Sequence, residues 1–86
     1  MIHNFYAVKD NLTGKFYNPI AIDTDEEAKR AFKSYIKNTP IWKDNPSDFT
    51  MHKVFSFNDE NGETIQLDDE IANGRSVIDE WQTKIL

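Results

Sequence analysis

The chain has no cysteine. That excludes a disulfide framework, a thiolate nucleophile and a sulfur-ligated metal, and it fits a reducing cytosol. The three glycines, Gly14, Gly62 and Gly74, lie far apart, so no phosphate-cradling glycine loop can be built from them. The serines, Ser34, Ser47, Ser56 and Ser76, fall in no nucleophile-elbow pattern, and only His3 and His52 can serve as imidazole bases. Nucleophilic catalysis therefore has no support, and the chain reads as nonenzymatic. No apolar run approaches membrane-spanning length, and Met1-Ile2-His3-Asn4-Phe5 lacks the basic and apolar regions of a signal peptide. Basic residues are outnumbered, ten Lys/Arg against fifteen Asp/Glu, for a net charge of −5.

What is present describes one small domain, residues 1–86. The apolar fraction is 38%, yet 13% of the residues are aromatic, so a few large rings must supply much of the buried area. The charge is uneven along the chain. Residues 1–43 carry seven Lys/Arg and five Asp/Glu, net +2, whereas residues 44–86 carry three and ten, net −7. Strong non-specific DNA binding by the whole surface is disfavoured. One basic face opposed by an acidic half is allowed, as is an acidic half that docks on a basic protein.

The clearest element is a helix over Asp23–Lys37. Ala28, Ala31, Phe32, Tyr35 and Ile36 recur at helical steps. Asp23 or Thr24 can cap its start, with Glu26 or Glu27 at capping-box spacing. Pro40 ends it by disfavouring helix in the residue before. Four of the ten basic residues lie here: Lys29, Lys33 and Lys37 form a ridge, with Arg30 beside it. Before the helix, residues 3–8 and 16–22 predict two strands joined by a turn at residues 10–15, with Pro19 forcing the second to an edge or a bulge. After it, residues 38–49 read as an irregular connector pinned by Ile41, Trp42 and Phe49. Residues 50–57 and 63–67 predict a second hairpin around Asn61-Gly62. Alternation puts Met51, Phe55 and Phe57 on one face.

Residues 68–86 form an acidic helical tail in this reading. Asp68 to Gly74 make one turn, and residues 76–86 a helix with Val77, Ile78, Trp81 and Ile85 on one side. The fold class is therefore α+β. A β-β-α-β-β core makes a four-stranded sheet with one helix across a face, a β-grasp-like arrangement of side-by-side hairpins being one solution, and a C-terminal helix follows. Phe32, Tyr35 and Ile36 are expected to meet Phe5, Ile20, Ile22, Phe55 and Phe57.

The candidate site residues are those of a nucleic-acid surface. Lys29, Arg30, Lys33 and Lys37 can meet phosphates, and Tyr6, Tyr17 and Phe16 can stack on unpaired bases where exposed. Asp59-x-Asn61-x-Glu63 with Glu70 echoes a calcium loop, but Thr64 stands where that loop wants glycine, and a hairpin turn accounts for the same residues. No metal and no other cofactor is expected.

The chain resembles the small nonstructural protein of gokushovirus-type microviruses, phages with circular single-stranded DNA. The resemblance runs through Phe5-Tyr6-Ala7-Val8-x-Asp10, Gly14-x-Phe16-Tyr17-x-Pro19 and Asp25-x-x-Ala28-x-Arg30-x-Phe32. It is strongest in Asn45-Pro46-Ser47-Asp48-Phe49-x-Met51 and Val54-x-Ser56-Phe57-Asn58-Asp59-x-Asn61-Gly62. It spans residues 5–65, with Phe55 a departure where the family often has glycine. It implies a non-virion protein of the infected bacterial cytoplasm that binds single-stranded DNA during genome replication or packaging. The other reading is an acidic adaptor, homodimeric in one form, that recruits a basic phage or host replication or packaging protein.

Overall fold

The computed structural model describes residues 1–85, with side chains described for residues 1–79. The chain enters the sheet through β1 (Ile2–Asp10), turns, and returns as two short strands, β2 (Lys15–Phe16) and β3 (Ile20–Ile22). Both pair antiparallel with β1, at Lys9↔Phe16 and at Phe5↔Ala21. The single second strand expected over 16–22 is thus split around Pro19, which has no N–H to give to a ladder. Next comes α1 (Asp25–Asn38), then α2 (Pro40–Asp44) and a 3-10 turn (Pro46–Asp48) where an irregular connector was expected. A long hairpin, β4 (Phe49–Asn58) and β5 (Thr64–Asn73), is followed by α3 (Gly74–Ile85). The strands lie in the order β2-β1-β4-β5, with β3 beside β1, and every pairing is antiparallel.

Helix α1 begins and ends as its sequence requires. Thr24 Oγ1 accepts from the Glu27 N–H at 3.1 Å, and Pro40 follows the terminal Asn38-Thr39. Ala28, Phe32 and Ile36 are buried along its inner stripe. They pack on Tyr6 and Val8 of β1, Phe49 and Met51 of β4, and Val77 of α3. Tyr35, Trp42, Ile22, Ile71 and Ala72 close the margins of this core. Burying a side chain of this size contributes roughly 1.5–3 kcal/mol.

Three expectations need correction. Residues 68–73 are strand, not an acidic turn of helix, because Asp69 pairs with Lys53 and Glu70 with His52 in the β4–β5 ladder. Ile41 is exposed rather than tucked under the connector, while Trp42 and Phe49 stack at 5.0 Å and do the pinning. Phe5, Phe55 and Phe57 do not meet α1. The β1–β4 register slips between Phe5↔Phe55 and Tyr6↔Lys53, leaving Val54 as an extra residue. One extra residue reverses the alternation beyond it. Met51 and Lys53 therefore share the helix face with Tyr6, and Phe55 and Phe57 turn to the other face with Phe5. Of the expected C-terminal stripe, Val77 is buried and Ile78 partly so; Trp81 and Ile85 lie outside the described side chains.

All described helical residues of the core sit on the Tyr6 face, so the molecule is one sheet layer and one helix layer. Its extents are 49 × 27 × 18 Å, and the short one matches two layers.

Candidate nucleic-acid interface

A concavity lies between α1 and the junction of β5 with α3. It encloses about 570 Å3 and is lined by Lys29, Arg30 and Lys33 from α1, together with the carboxylates of Glu26 and Glu70. Its floor is Phe32, Ile71, Ala72 and Val77, and its far wall offers Asn73 and Ser76. The three cations arrive together because positions 29, 30 and 33 share one flank of a helix whose inner stripe is buried. Lys29 Nζ lies 3.5 Å from Glu26 Oε1, an exposed pair that contributes little to stability and leaves the lysine its reach. At the junction, Asn73 Oδ1 accepts from the Ser76 N–H at 2.9 Å and from its hydroxyl at 3.1 Å, fixing the start of α3. Gly74 is buried there, and only glycine fits, because a Cβ would stand 1.6 Å from the Pro46 carbonyl oxygen.

Of the six candidate site residues, the groove gathers Lys29, Arg30 and Lys33. Lys37 is exposed in the last turn of α1 and is not among the residues lining the groove. Tyr6 is 0% exposed and offers no ring face to a base. Its hydroxyl donates to Asp25 Oδ1 at 2.6 Å, and Lys53 Nζ meets the same oxygen at 3.0 Å. Burial, then this bond, pushes the Tyr6 phenol well above its ordinary value. The Tyr6 and Lys53 contacts hold the Asp25 carboxyl below its ordinary value. Tyr17 keeps 46% of its surface exposed but lies tilted against Trp42, ring centres 4.9 Å apart, and does not line the groove.

There are two further constellations, and the sequence showed only the second. On the sheet face away from the helices, Asn11 Nδ2 donates to Thr50 Oγ1 at 3.0 Å, Thr50 Oγ1 lies 2.8 Å from His52 Nε2, and His52 Nδ1 lies 3.2 Å from Asp68 Oδ1. The order hydroxyl–imidazole–carboxylate is that of a nucleophilic relay. Here Thr50 and His52 are both buried, and the hydroxyl is already engaged by Asn11, which makes the chain a tie between three segments. Only the i, i+2 spacing of Thr50 and His52 was visible beforehand. The second constellation is the calcium-like spacing, which the hairpin takes apart. Asp59 is held at the turn by the Met1 amine and His3 Nε2, each at 2.8 Å, whereas Glu70 pairs far along the strand with His52. Among the described residues no three His, Asp or Glu side chains converge on a metal-sized space, and no described helix is long and apolar enough to cross a membrane.

Fold and groove define a two-layer α+β domain with a cation-lined cleft between its helix layer and a sheet edge. Residues 3–77 match the family described as Phage ORF5 protein, and the chain belongs to that family. It is thus a phage protein. No curated protein and no solved structure matches it.

Proposed function

We propose that this phage protein is a nonenzymatic module that binds single-stranded DNA in the cytoplasm of the infected bacterium, outside the virion, during genome replication or packaging. The observation that carries the reading is the convergence of Lys29, Arg30 and Lys33 on one groove in a chain of net charge −5. Cations concentrated in a cleft attract phosphate even when the whole surface is acidic, because the local field and not the net charge governs contact. The apolar floor and the Asn73 and Ser76 side chains add room for a sugar or base beside the phosphate. The resemblance to the microvirus nonstructural proteins points the same way. The test is fluorescence anisotropy of a labelled oligonucleotide at low and high salt, with the triple variant Lys29→Glu, Arg30→Glu, Lys33→Glu. Binding that falls with salt and disappears in the variant is expected. An oligonucleotide that does not bind at low salt, or that binds the variant equally well, overturns the reading.

A second reading rests on β5. This strand closes the sheet at one edge, and Asp68, Asp69 and Glu70 are consecutive and exposed along it. An acidic unpaired edge suits a basic strand from a phage or host replication or packaging protein, added by β-augmentation. Cross-linking from infected cells distinguishes it: a partner joined through β5 supports the adaptor, and recovery of DNA alone supports the first reading.

A further inference from the structure

We infer that the sheet face turned away from the helices is the interface of a two-fold homodimer. The face is unusual for a surface. Phe5 and Phe55 stack at its centre, ring centres 4.5 Å apart and 10° from parallel. Register places Phe57 opposite His3, and Ala7 opposite His52, on the same side. Phe16 adds its ring at one end, 47% exposed, against the edge of His52 at 5.6 Å. Val54, the bulge residue, lines the same surface with Lys9, Phe16, Gln66 and Asp68. Contiguous apolar surface of this kind marks an interaction site.

The polar groups of the face are already provided for. His52 is taken by Thr50 and Asp68, and His3 by Asp59, and no buried side-chain N or O among the described residues lacks a partner. Covering the face therefore strands little.

Its charges choose the occupant. Lys9 lies at one end of β1's outer row, with its Nζ 5.5 Å from the Phe16 ring centre. The carboxylate of Asp59 lies at the other end, beside His3. The six-residue step from His3 to Lys9 spans about 20 Å. A two-fold axis crossing the strands near Phe5 and Ala7 reverses the second copy. Each Lys9 is then brought toward the partner's Asp59, and the two Phe5–Phe55 stacks meet. Such a face is complementary to itself. It is a poor match for nucleic acid, since its single lysine is opposed by Asp59 and Asp68. Four strands over about eight residues give on the order of 500 Å2 in projection, below the roughly 600–1,000 Å2 that each partner buries in a stable interface, which fits a weak, reversible dimer. The alternative pairing, edge to edge through β5, sets Asp68, Asp69 and Glu70 against their own copies and is repelled.

This inference stands apart from the ligand proposed for the groove, because the groove remains on the outer side of each subunit. Sedimentation velocity from micromolar to millimolar chain tests it. The expected result is a reversible shift from the 10.0 kDa chain to twice that mass. Phe55→Lys is expected to raise the dissociation constant by roughly 100-fold or more, as loss of a central aromatic contact does when it occurs in both subunits. Its circular dichroism should be unchanged, and so should the affinity of a short oligonucleotide per groove. Lys9→Glu should weaken the dimer, and Lys9→Glu combined with Asp59→Lys should restore it. A chain that stays monomeric to millimolar concentration, or a dimer indifferent to both Phe55→Lys and the charge exchange, overturns the inference. So does a monomer whose oligonucleotide binding collapses with Phe55→Lys, which would assign the face to stacked bases.

Discussion

Tyr6 shows how one side chain can be misjudged from its neighbours in sequence. Within Phe5-Tyr6-Ala7-Val8 the phenol is the polar ring and the natural choice for an exposed stacking surface. In the fold it is the buried one, and Phe5 is turned outward. The reason is Asp25. The first turn of α1 presents a carboxylate to the sheet, and Tyr6 and Lys53 are the groups that meet it. Tyr6→Phe leaves the ring packed and removes the 2.6 Å bond, so a loss of about 1 kcal/mol is expected in urea unfolding. The contact also sets a pH window at each end. Asp25 is depressed below 3.8 in the fold, so its contribution is complete above that value and disappears as pH falls through the lower folded one. Tyr6 is raised above 10.0, so its contribution is complete below pH 10 and disappears as pH climbs through the folded value. Unfolding midpoints between pH 2 and 5, and absorbance of tyrosinate above pH 10, check the two limits. In Tyr6→Phe the acid limb should flatten.

At the scale of elements, α1 was legible almost to the residue. Its cap, its apolar stripe and its proline stop are all local signals, and local signals survive folding. The paired strands were legible as strands but not as faces. Val54 is the cause: nothing in Lys53-Val54-Phe55 announces an unpaired residue, and a single slip exchanged the inside and outside of Phe55 and Phe57. The extension of β5 through Asp68-Asp69-Glu70 was equally hidden, since acidic residues have poor strand propensity and are held there by pairing with β4. The groove was half legible. Helical periodicity placed Lys29, Arg30 and Lys33 together, but the opposite wall depends on where α3 begins, and that is decided by Gly74 against Pro46. Gly74→Ala is therefore expected to cost roughly 3 kcal/mol through the clash with the Pro46 carbonyl. Chemical denaturation should show the loss. Amide exchange should show α3 losing protection before the sheet does, because α3 leans on the 3-10 turn that carries Pro46.

For the molecule as a whole, the balance of charge decides how the groove can work. Three contacting cations displace few counterions, so binding to a single strand should lose about 20-fold in affinity when salt rises fourfold. That is a shallow response, and anisotropy titrations at intermediate salts can measure the slope. A much steeper slope would mean that more of the surface is engaged than the three groove cations. The chain is also longer than its length demands. Its radius of gyration is 13.9 Å, against about 12 Å for a compact chain of this size. The excess belongs to the β4–β5 hairpin, whose strands run ten residues each. Composition predicted a small core and got one, but only strand pairing could reveal a flat molecule with its apolar content divided between two faces.

The β5 edge has a consequence for what happens when the protein accumulates. The outward backbone groups of a ten-residue edge strand are a template for strand addition without limit, and three consecutive exposed carboxylates oppose the approach of a second such edge. The barrier to fibre growth is thus a matter of colloid chemistry more than of folding stability. Asp68→Asn, Asp69→Asn, Glu70→Gln together should leave the monomer folded and yet shorten the lag of thioflavin-positive aggregation. The acidic composition of this half of the chain would then be read as the means by which a flat, open-edged protein stays dispersed.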